Sequence, residues 1–441
     1  MKKPVQIFKF GGASIKSADN IRNVASILKR YADESLVVVV SAMGSTTNQL
    51  EKVVGAHHEQ TGTATELLEQ LKDWHYGIMD ELFGGDRSLE VYASVNDTFV
   101  EVEWVLDEPP HENYDYMYDQ IVCVGELVSS KIVAAFLNAE GLPSAWLDAR
   151  DVIRTDDLYR EGWVIWDETV ERAQQYLRPL TEQDGFVITQ GFIGSTAENA
   201  TTTLGREGSD YTAAILSYCI DAKSMTIWKD VPGILTADPR IFENVTKLDR
   251  LSYREAIEMT YYGAKVIHPK TIKPLQNKSI PLFVKSFLNP NGDGTYISDE
   301  VEDNYPTMVM VEPNQSLLHV STRDFSFVAE HHLSHLFQQI AEHRLQVNMM
   351  QNSAISFAVC VNTIDDRVDR FAASLQADFK VSIERGLELI TIRHADKSMV
   401  EALTQGKLVL MEERVRRMVQ VVVKDMLEMK RKENIAGYSH K

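Results

Sequence analysis

Runs of consecutive apolar residues punctuate the first two thirds of the chain, and each opens into a polar loop followed by a helical stripe. Residues 5–10, 36–40, 145–147, 185–193 and 280–285 are such runs, and Ile227 and Trp228 end another. Unbroken apolar character over so short a length marks strands buried on both faces, as in a parallel sheet. Amphipathic helices lie between them. Residues 19–31 place Ile21, Val24, Ile27 and Leu28 on one face, the stripe expected of a helix packed on a core. Residues 122–140 form another helix, stopped by Gly141. A third, 211–219, follows a loop whose Ser209 or Asp210 is placed to cap it. Strand and helix in alternation predict an α/β domain, a mainly parallel sheet sandwiched by helices. Residues 52–119 read as an acidic, mostly helical layer broken at Gly84-Gly85 and Pro109-Pro110.

From Met308 the rhythm changes. Strands at 317–321, 347–350, 355–361, 379–383, 387–392 and 418–423 alternate with helices at 329–343, 365–375 and 398–403. Strand-helix-strand-strand-helix-strand predicts an α+β, ferredoxin-like unit, with room for a second, abbreviated copy. The expected division is therefore 1–307 and 308–441.

Composition changes this picture little. A length of 441 residues, 44% of them hydrophobic, suits two or three domains with sizeable cores. A formal charge of −19 argues against nucleic acid or an anionic membrane as partner, but not against a small anion held by a local cluster of cations. Three cysteines, Cys123, Cys219 and Cys360, show no metal-ligand spacing and fit a reducing cytoplasm. Gln6 and Lys9 interrupt any signal-peptide core, and no membrane span is expected.

The chemistry gathers in the loops after the strands, where an α/β sheet presents its ligand site. Thr203-Leu204-Gly205-Arg206-Glu207-Gly208-Ser209-Asp210 joins a strand to a helix N-terminus, an anion-holding arrangement to which Arg206 adds a planar cationic fork. Read alone, it is equally a capped turn with a solvated arginine. Lys9 lies one residue before the end of its strand, followed by Gly11, Gly12 and Ser14, and the adjacent glycines permit close approach of a ligand. Residues 41–48, with Ser41 and Thr47, form a hydroxyl-rich loop; such loops are more often caps and turns than sites. Glu126 in the first turns of its helix complements the dipole or holds a substrate ammonium. Lys229-Asp230 and Asp238-Pro239-Arg240 follow the strand ending at Trp228, and Lys265 stands among small and apolar residues. Neither Gly-x-x-x-x-Gly-Lys-Ser/Thr nor Gly-x-Gly-x-x-Gly occurs, so any nucleotide site is built differently.

Taken in order, these segments resemble the aspartate kinases of the amino-acid kinase family. The resemblance rests on Lys9-Phe10-Gly11-Gly12, the 41–48 loop, Gly125-Glu126-Leu127, Gln190-Gly191-Phe192, Thr202 to Arg206, Gly208-Ser209-Asp210, Asp238-Pro239-Arg240 and Gly263-Ala264-Lys265-Val266. It covers roughly the first 300 residues, and the remainder resembles the ACT-type regulatory region of those kinases. The resemblance implies phosphorylation of the aspartate side-chain carboxylate by ATP with Mg²⁺. Lys9 and Asp210 would be catalytic. Ser41, Thr47, Glu126 and Arg206 would hold aspartate. Gly11, Gly12, Ser14, Lys229, Asp230, Asp238, Arg240 and Lys265 would bind nucleotide. Asn348, Gln351 and Asn352 would hold a feedback amino acid, lysine or threonine, near 325–329 and 348–352, in a homodimer joined through the ACT region. A glutamate-type amino-acid kinase and a catalytically weak amino-acid sensor are the alternatives. Four positions depart from the pattern: Ala13 for a common Thr, Ser45 for a frequent Lys, Glu207 for a glycine, and Lys229 for a small hydroxyl residue. The last two are opposite in charge and are expected to offset each other, as an ion pair or across bound phosphates.

Overall fold

The computed structural model describes residues 4–264, 267–300, 304–323, 326–364 and 366–425. The chain forms two compact units. The first comprises Met1–Ile234, Lys247–Thr260 and Lys265–Glu302; the second comprises Leu235–Thr246, Tyr261–Ala264 and Asp303–Lys441.

In the first unit the strands are β1 (Val5–Phe10), β2 (Ser35–Val40), β3 (Ser144–Leu147), β4 (Phe186–Gln190), β5 (Ile193–Ser195), β6 (Thr201–Thr203), β7 (Ser224–Lys229), β8 (Arg250–Ser252), β9 (Leu282–Ser286) and β10 (Thr295–Ser298). Eight of them make one sheet in the order β3-β4-β2-β1-β7-β9-β10-β8. All neighbours in it are parallel except β9 and β10. β5 and β6 form a separate antiparallel hairpin. The apolar run at 185–193 thus splits: β4 ends at Gln190, and the chain turns at Gly191 into the hairpin.

β1 runs through the middle, between β2 and β7. Side chains alternate along it. Phe8 and Phe10 enter a large core built with the helices Ala18–Lys29, Thr46–His58, Ala64–Phe83, Glu90–Asp107 and Val124–Ala139. Ile7 and Lys9 take the other face, where the helix Gly208–Cys219 packs on β1. The run Tyr114–Ala139 is long and apolar enough to cross a membrane, contrary to expectation, but 83% of its most apolar window is buried within the fold. It is a core element here.

The second unit holds β11 (Met308–Thr322), β12 (Val347–Asn352), β13 (Ser356–Asn362), β14 (Phe379–Arg393), β15 (Lys407–Val415) and β16 (Met418–Asp425) in one antiparallel sheet ordered β12-β13-β11-β14-β16-β15. The stretches at 379–383 and 387–392 are one long strand rather than two. A bulge near Gly386, whose φ is +69°, interrupts the alternation without ending the pairing. A matching irregularity lies between Glu312 and Gln315 in β11. Each bulge shifts the alternation by one, so Val309 and Val311 face the same side as Leu318 and Val320.

Topology separates two halves. The outer part of β11, β12, β13 and the first part of β14 form the complete strand-helix-strand-strand-helix-strand unit, with helices Glu330–Glu342 and Arg367–Leu375. The rest of β14, the helix Lys397–Thr404, β15 and β16 repeat the first half of that pattern. The N-terminal part of β11 closes the sheet beside β14, where a fourth strand would lie. The repeat has no second helix among the described residues. Ala237 and Phe242, from the excursion Leu235–Thr246, pack on its apolar face instead, against a core that includes Val309, Ile392, Val400 and Val421.

Candidate active site

The site is built where β1, β2, β4 and β7 end. Lys9 pairs with Val39 of β2 and Ile227 of β7, so Lys9, Ile227 and Lys229 project from the same face. The helix Gly208–Cys219 brings Asp210 under that face. Its approach depends on Gly191: a Cβ there would lie 2.4 Å from Cβ of Ser209. Asp210 is 2% exposed, and its Oδ1 lies 2.6 Å from Lys9 Nζ. Lys229 Nζ approaches Oδ2 at 3.5 Å. Burial works to raise the Asp210 carboxyl, but Lys9 and Lys229 outweigh it and hold the group below the usual carboxylate range.

On the β2 side, Gly12 lets two loops touch. A Cβ at Gly12 would stand 2.7 Å from the Ala42 carbonyl oxygen and 3.0 Å from that of Gly44. Ser41 is half-buried, and its carbonyl accepts a 2.7 Å hydrogen bond from Ser129 Oγ, tying the loop to the helix that carries Glu126. Glu126 is 3% exposed. Its Oε1 accepts from the Ala42 N–H at 3.3 Å, while Oε2 is buried without a hydrogen-bond partner. Burial pushes this carboxyl up to about 8, against the pull of the Ala42 and Glu126 N–H groups and of Lys9. Thr46 and Thr47 start the next helix. Thr46 is buried against His75, an imidazole pushed down to about 4 by burial and therefore neutral, and Thr47 is half-buried.

Asp119 has a role that the sequence did not disclose. It is wholly buried and accepts from the Thr203 N–H at 2.9 Å, the Thr203 hydroxyl at 2.7 Å and the Arg160 N–H at 2.9 Å. Burial raises it to about 6 despite those bonds. Its bonds fix β6 just before the turn bearing Arg206. In the sequence it sits in an acidic, tyrosine-rich helical stretch, where nothing distinguishes it from a surface aspartate.

Arg206 is exposed and makes no ion pair among the described residues. Glu207, rather than Ser209 or Asp210, is the N-cap, with φ +55° and no capping hydrogen bond. Its Oε2 is buried without a hydrogen-bond partner. The expected offset between Glu207 and Lys229 is therefore displaced, since Lys229 turns towards Asp210. A non-glycine residue in the left-handed region costs about 1 kcal/mol or more. Glu207→Gly is accordingly expected to raise stability by roughly 1 kcal/mol, read as a higher Tm in a thermal melt; an unchanged or lower Tm would show that the side chain repays its strain.

The remaining nucleotide candidates divide. Ser14 is buried, 1% exposed, and its hydroxyl donates to the Trp228 carbonyl at 3.4 Å, bracing the loop from beneath. Asp230 is exposed. Asp238 and Arg240 bond to each other within one turn, at 2.6 Å between Arg240 Nη2 and Asp238 Oδ2, and belong to the second unit. Lys265 lies outside the described residues. Of the effector candidates, Asn348 sits at a bulge in β12, and its amide donates to Gln315 Oε1 and Asn362 Oδ1, each at 2.8 Å. That leaves its carbonyl oxygen for a ligand. Gln351 and Asn352 are exposed at the sheet edge. Phe325, in the other expected effector segment, lies outside the described residues.

Comparison with known proteins identifies the family. Residues 4–286 match the amino acid kinase family, and the chain belongs to it. The lysine-sensitive aspartokinase 3 of Escherichia coli is 32% identical over 408 residues, 89% of this chain and 88% of that protein. Aspartokinase 1, chloroplastic, of Arabidopsis thaliana is 29% identical over 88% of this chain and 70% of its own. The crystal structure of E. coli aspartokinase III with aspartate and ADP superposes with a TM-score of 0.82 at 28% identity, covering 95% of this chain and 96% of that one. Its complex with lysine and aspartate gives 0.80 over the same shares. Within the family, this chain is an aspartate kinase.

Proposed function

We propose that the protein moves the γ-phosphoryl group of ATP onto the side-chain carboxylate of L-aspartate at the centre formed by Lys9, Asp210, Glu126 and Arg206. The observation that carries this reading is Glu126: a buried carboxyl group with one oxygen lacking any partner. Such an oxygen suits a substrate ammonium, and Arg206 suits the α-carboxylate. An amino acid with a second carboxylate satisfies both and leaves that carboxylate to react.

At neutral pH this carboxylate is already ionised, with a reference pKa of about 4, so no general base is required. Its oxygen forms a bond to phosphorus while the bond from phosphorus to the bridging oxygen breaks, and that electron pair leaves with ADP. The obstacle is bringing one anion to another. Lys9 answers it by facing the transferring group, with Asp210 holding the ammonium in place. Gly11 and Gly12 leave the backbone open to the phosphates, and Ser41 and Thr47 add contacts to aspartate. No group of three His, Cys, Asp or Glu suited to a metal occurs among the described residues. Mg²⁺ would come with the nucleotide, needing few protein ligands, and would supply charge neutralisation at the phosphates.

The test is trapping of the acyl phosphate by hydroxylamine with aspartate and glutamate compared. Hydroxamate from aspartate at well over tenfold the glutamate rate supports the reading; a preference for glutamate, or no product from either, overturns it.

The 308–441 region is read as the regulatory part, joining two copies and holding lysine, as the E. coli structure with lysine suggests by analogy. Lysine is expected to inhibit, and Asn352→Ala to weaken inhibition by about tenfold, a coupling loss near 1.4 kcal/mol. Titration of lysine and threonine against both proteins checks this. Inhibition unchanged by Asn352→Ala would place the effector elsewhere.

A further inference from the structure

Glu207 serves neither substrate in the reading above, and the free protein gains little from it. Its backbone stands in the left-handed region at φ +55°, which Gly, Asn and Asp adopt more readily. It is the N-cap of the helix Gly208–Cys219 yet makes no capping hydrogen bond, and its Oε2 is buried without a hydrogen-bond partner. The helix dipole favours a carboxylate at this end, but an aspartate would serve the dipole with less strain. Strain and an orphaned charge that nothing in the free molecule offsets belong to a residue that acts when a ligand is bound.

The position of Glu207 narrows the ligand. It follows Arg206, assigned above to the aspartate α-carboxylate, and its own carbonyl oxygen accepts the Asp210 N–H at 3.0 Å. Asp210 in turn holds Lys9 at 2.6 Å. His268, the N-cap of the helix Pro269–Asn277, is within electrostatic reach of Glu207, Arg206 and Asp210 together. A carboxylate here meets two anionic substrates and is repelled by both unless a cation lies between. Aspartate brings one ammonium, and Glu126 takes it. The cation that arrives with the other substrate is the metal on ATP. Mg²⁺ is a hard ion bound through one or two carboxylates plus phosphate oxygens, with water in the rest of its shell, so a single glutamate suits it.

We propose that Glu207 is a metal-binding residue, contributing a carboxylate oxygen to the Mg²⁺ of the Mg–ATP complex and thereby selecting ATP that carries its metal. The inference rests on the phosphoryl-transfer reading given above. Glu207 as a residue is only half-buried, so a side-chain rotation brings its carboxylate to the cation. In that complex the orphaned carboxylate gains a partner, and repulsion from the phosphates becomes attraction. Towards metal-free ATP the same carboxylate opposes binding.

The experiment is calorimetric titration of ATP, with Mg²⁺ and with EDTA, into wild type, Glu207→Gln and Glu207→Gly, with a thermal melt of each. Losing a group that holds a metal typically costs about 10- to 100-fold in affinity for it, so both variants are expected to bind Mg–ATP at least tenfold more weakly than wild type. With EDTA the order reverses. Both variants bind metal-free ATP at least as tightly as wild type, since a charge that repels the phosphates is gone. A merely structural defect moves the two affinities in the same direction. Loss of affinity for metal-free ATP in step with Mg–ATP therefore overturns the proposal. So does Mg–ATP binding within about threefold of wild type in both variants, or a wild type that binds Mg–ATP no tighter than metal-free ATP. Hydroxamate trapping on the wild type keeps this result apart from the reading of the site. No product from aspartate overturns that reading and this inference with it, whereas product alongside any of the contrary affinities overturns the inference alone.

Discussion

Lys9→Ala is expected to lower kcat by about 10³-fold or more while weakening ATP binding less than tenfold. Lys9 is the cation held most closely at the centre, 2.6 Å from a buried aspartate, and its position is set by a strand hydrogen-bonded on both sides. A group so fixed needs no reorganisation as charge builds on the phosphoryl oxygens, and such groups contribute roughly 10²–10³ each, more where they counter a whole phosphoryl group. Ground-state ATP, by contrast, is held by many contacts, and one of them is a minor share. Breaking a buried ion pair usually leaves a stranded charge at about 3–5 kcal/mol, but Lys229 remains beside Asp210 and relieves part of that cost. Lys9→Ala therefore folds, with a moderately lower Tm. Steady-state kinetics with calorimetric ATP binding separates the two quantities. Near-normal kcat would remove Lys9 from the mechanism. A fall in ATP affinity matching the fall in kcat would turn it into a binding residue.

How much of this was legible in the sequence follows the depth of burial. β1, β2, β4 and β7 were visible because a strand covered on both faces must be apolar throughout; Lys9 stood near the end of β1 as a charged interruption, and Asp210 and Glu126 in the first turns of apolar helices. β8, β10 and β15 were not, since they are short or lie at or near a sheet edge, where polar residues are tolerated and no pattern is enforced. Glu412, Glu413 and Arg414 lie in β15, where they break any apolar run. β14 appeared as two strands because Gly386 imitates a turn, whereas a bulge absorbs it. Three features depend on contacts between distant parts of the chain and leave no local trace. Asp119 reaches Thr203, 84 positions away. Lys229 chooses Asp210 over Glu207. Asp238 and Arg240, expected with the nucleotide loops, are carried on a segment that Phe242 and Ala237 anchor in the second unit. That last arrangement puts two nucleotide candidates in the second unit.

The affinity for aspartate is expected to rise with pH through the neutral range and then level off near pH 8, and Glu126→Gln is expected to abolish the rise. Burial lifts the Glu126 carboxyl from 4.5 to about 8, so at neutral pH the group is largely protonated. Holding a substrate ammonium requires the carboxylate form, so a proton must leave on binding. The apparent KM for aspartate should then fall by up to about tenfold per pH unit between pH 6 and 8. Above that it stays flat until the substrate's own ammonium titrates. The stability of the free protein runs the opposite way. A raised carboxyl binds more protons folded than unfolded, so its contribution to stability is greatest below about 4.5, declines from there to about 8, and is constant beyond. Glutamine is a neutral isostere and avoids that loss. Glu126→Gln should therefore match wild type in Tm near pH 4.5 and exceed it at pH 8.5, while its KM for aspartate is raised about 30–1000-fold, the equivalent of roughly 2–4 kcal/mol for a buried charged hydrogen bond. Its kcat changes little, because the ammonium contact is the same in ground and transition states. Kinetics at four pH values between 6 and 9, with melts at pH 4.5 and 8.5, decide the matter. A wild-type KM independent of pH would mean that Glu126 is already ionised and its burial compensated. A Glu126→Gln variant with normal KM would place the substrate ammonium somewhere else in the site.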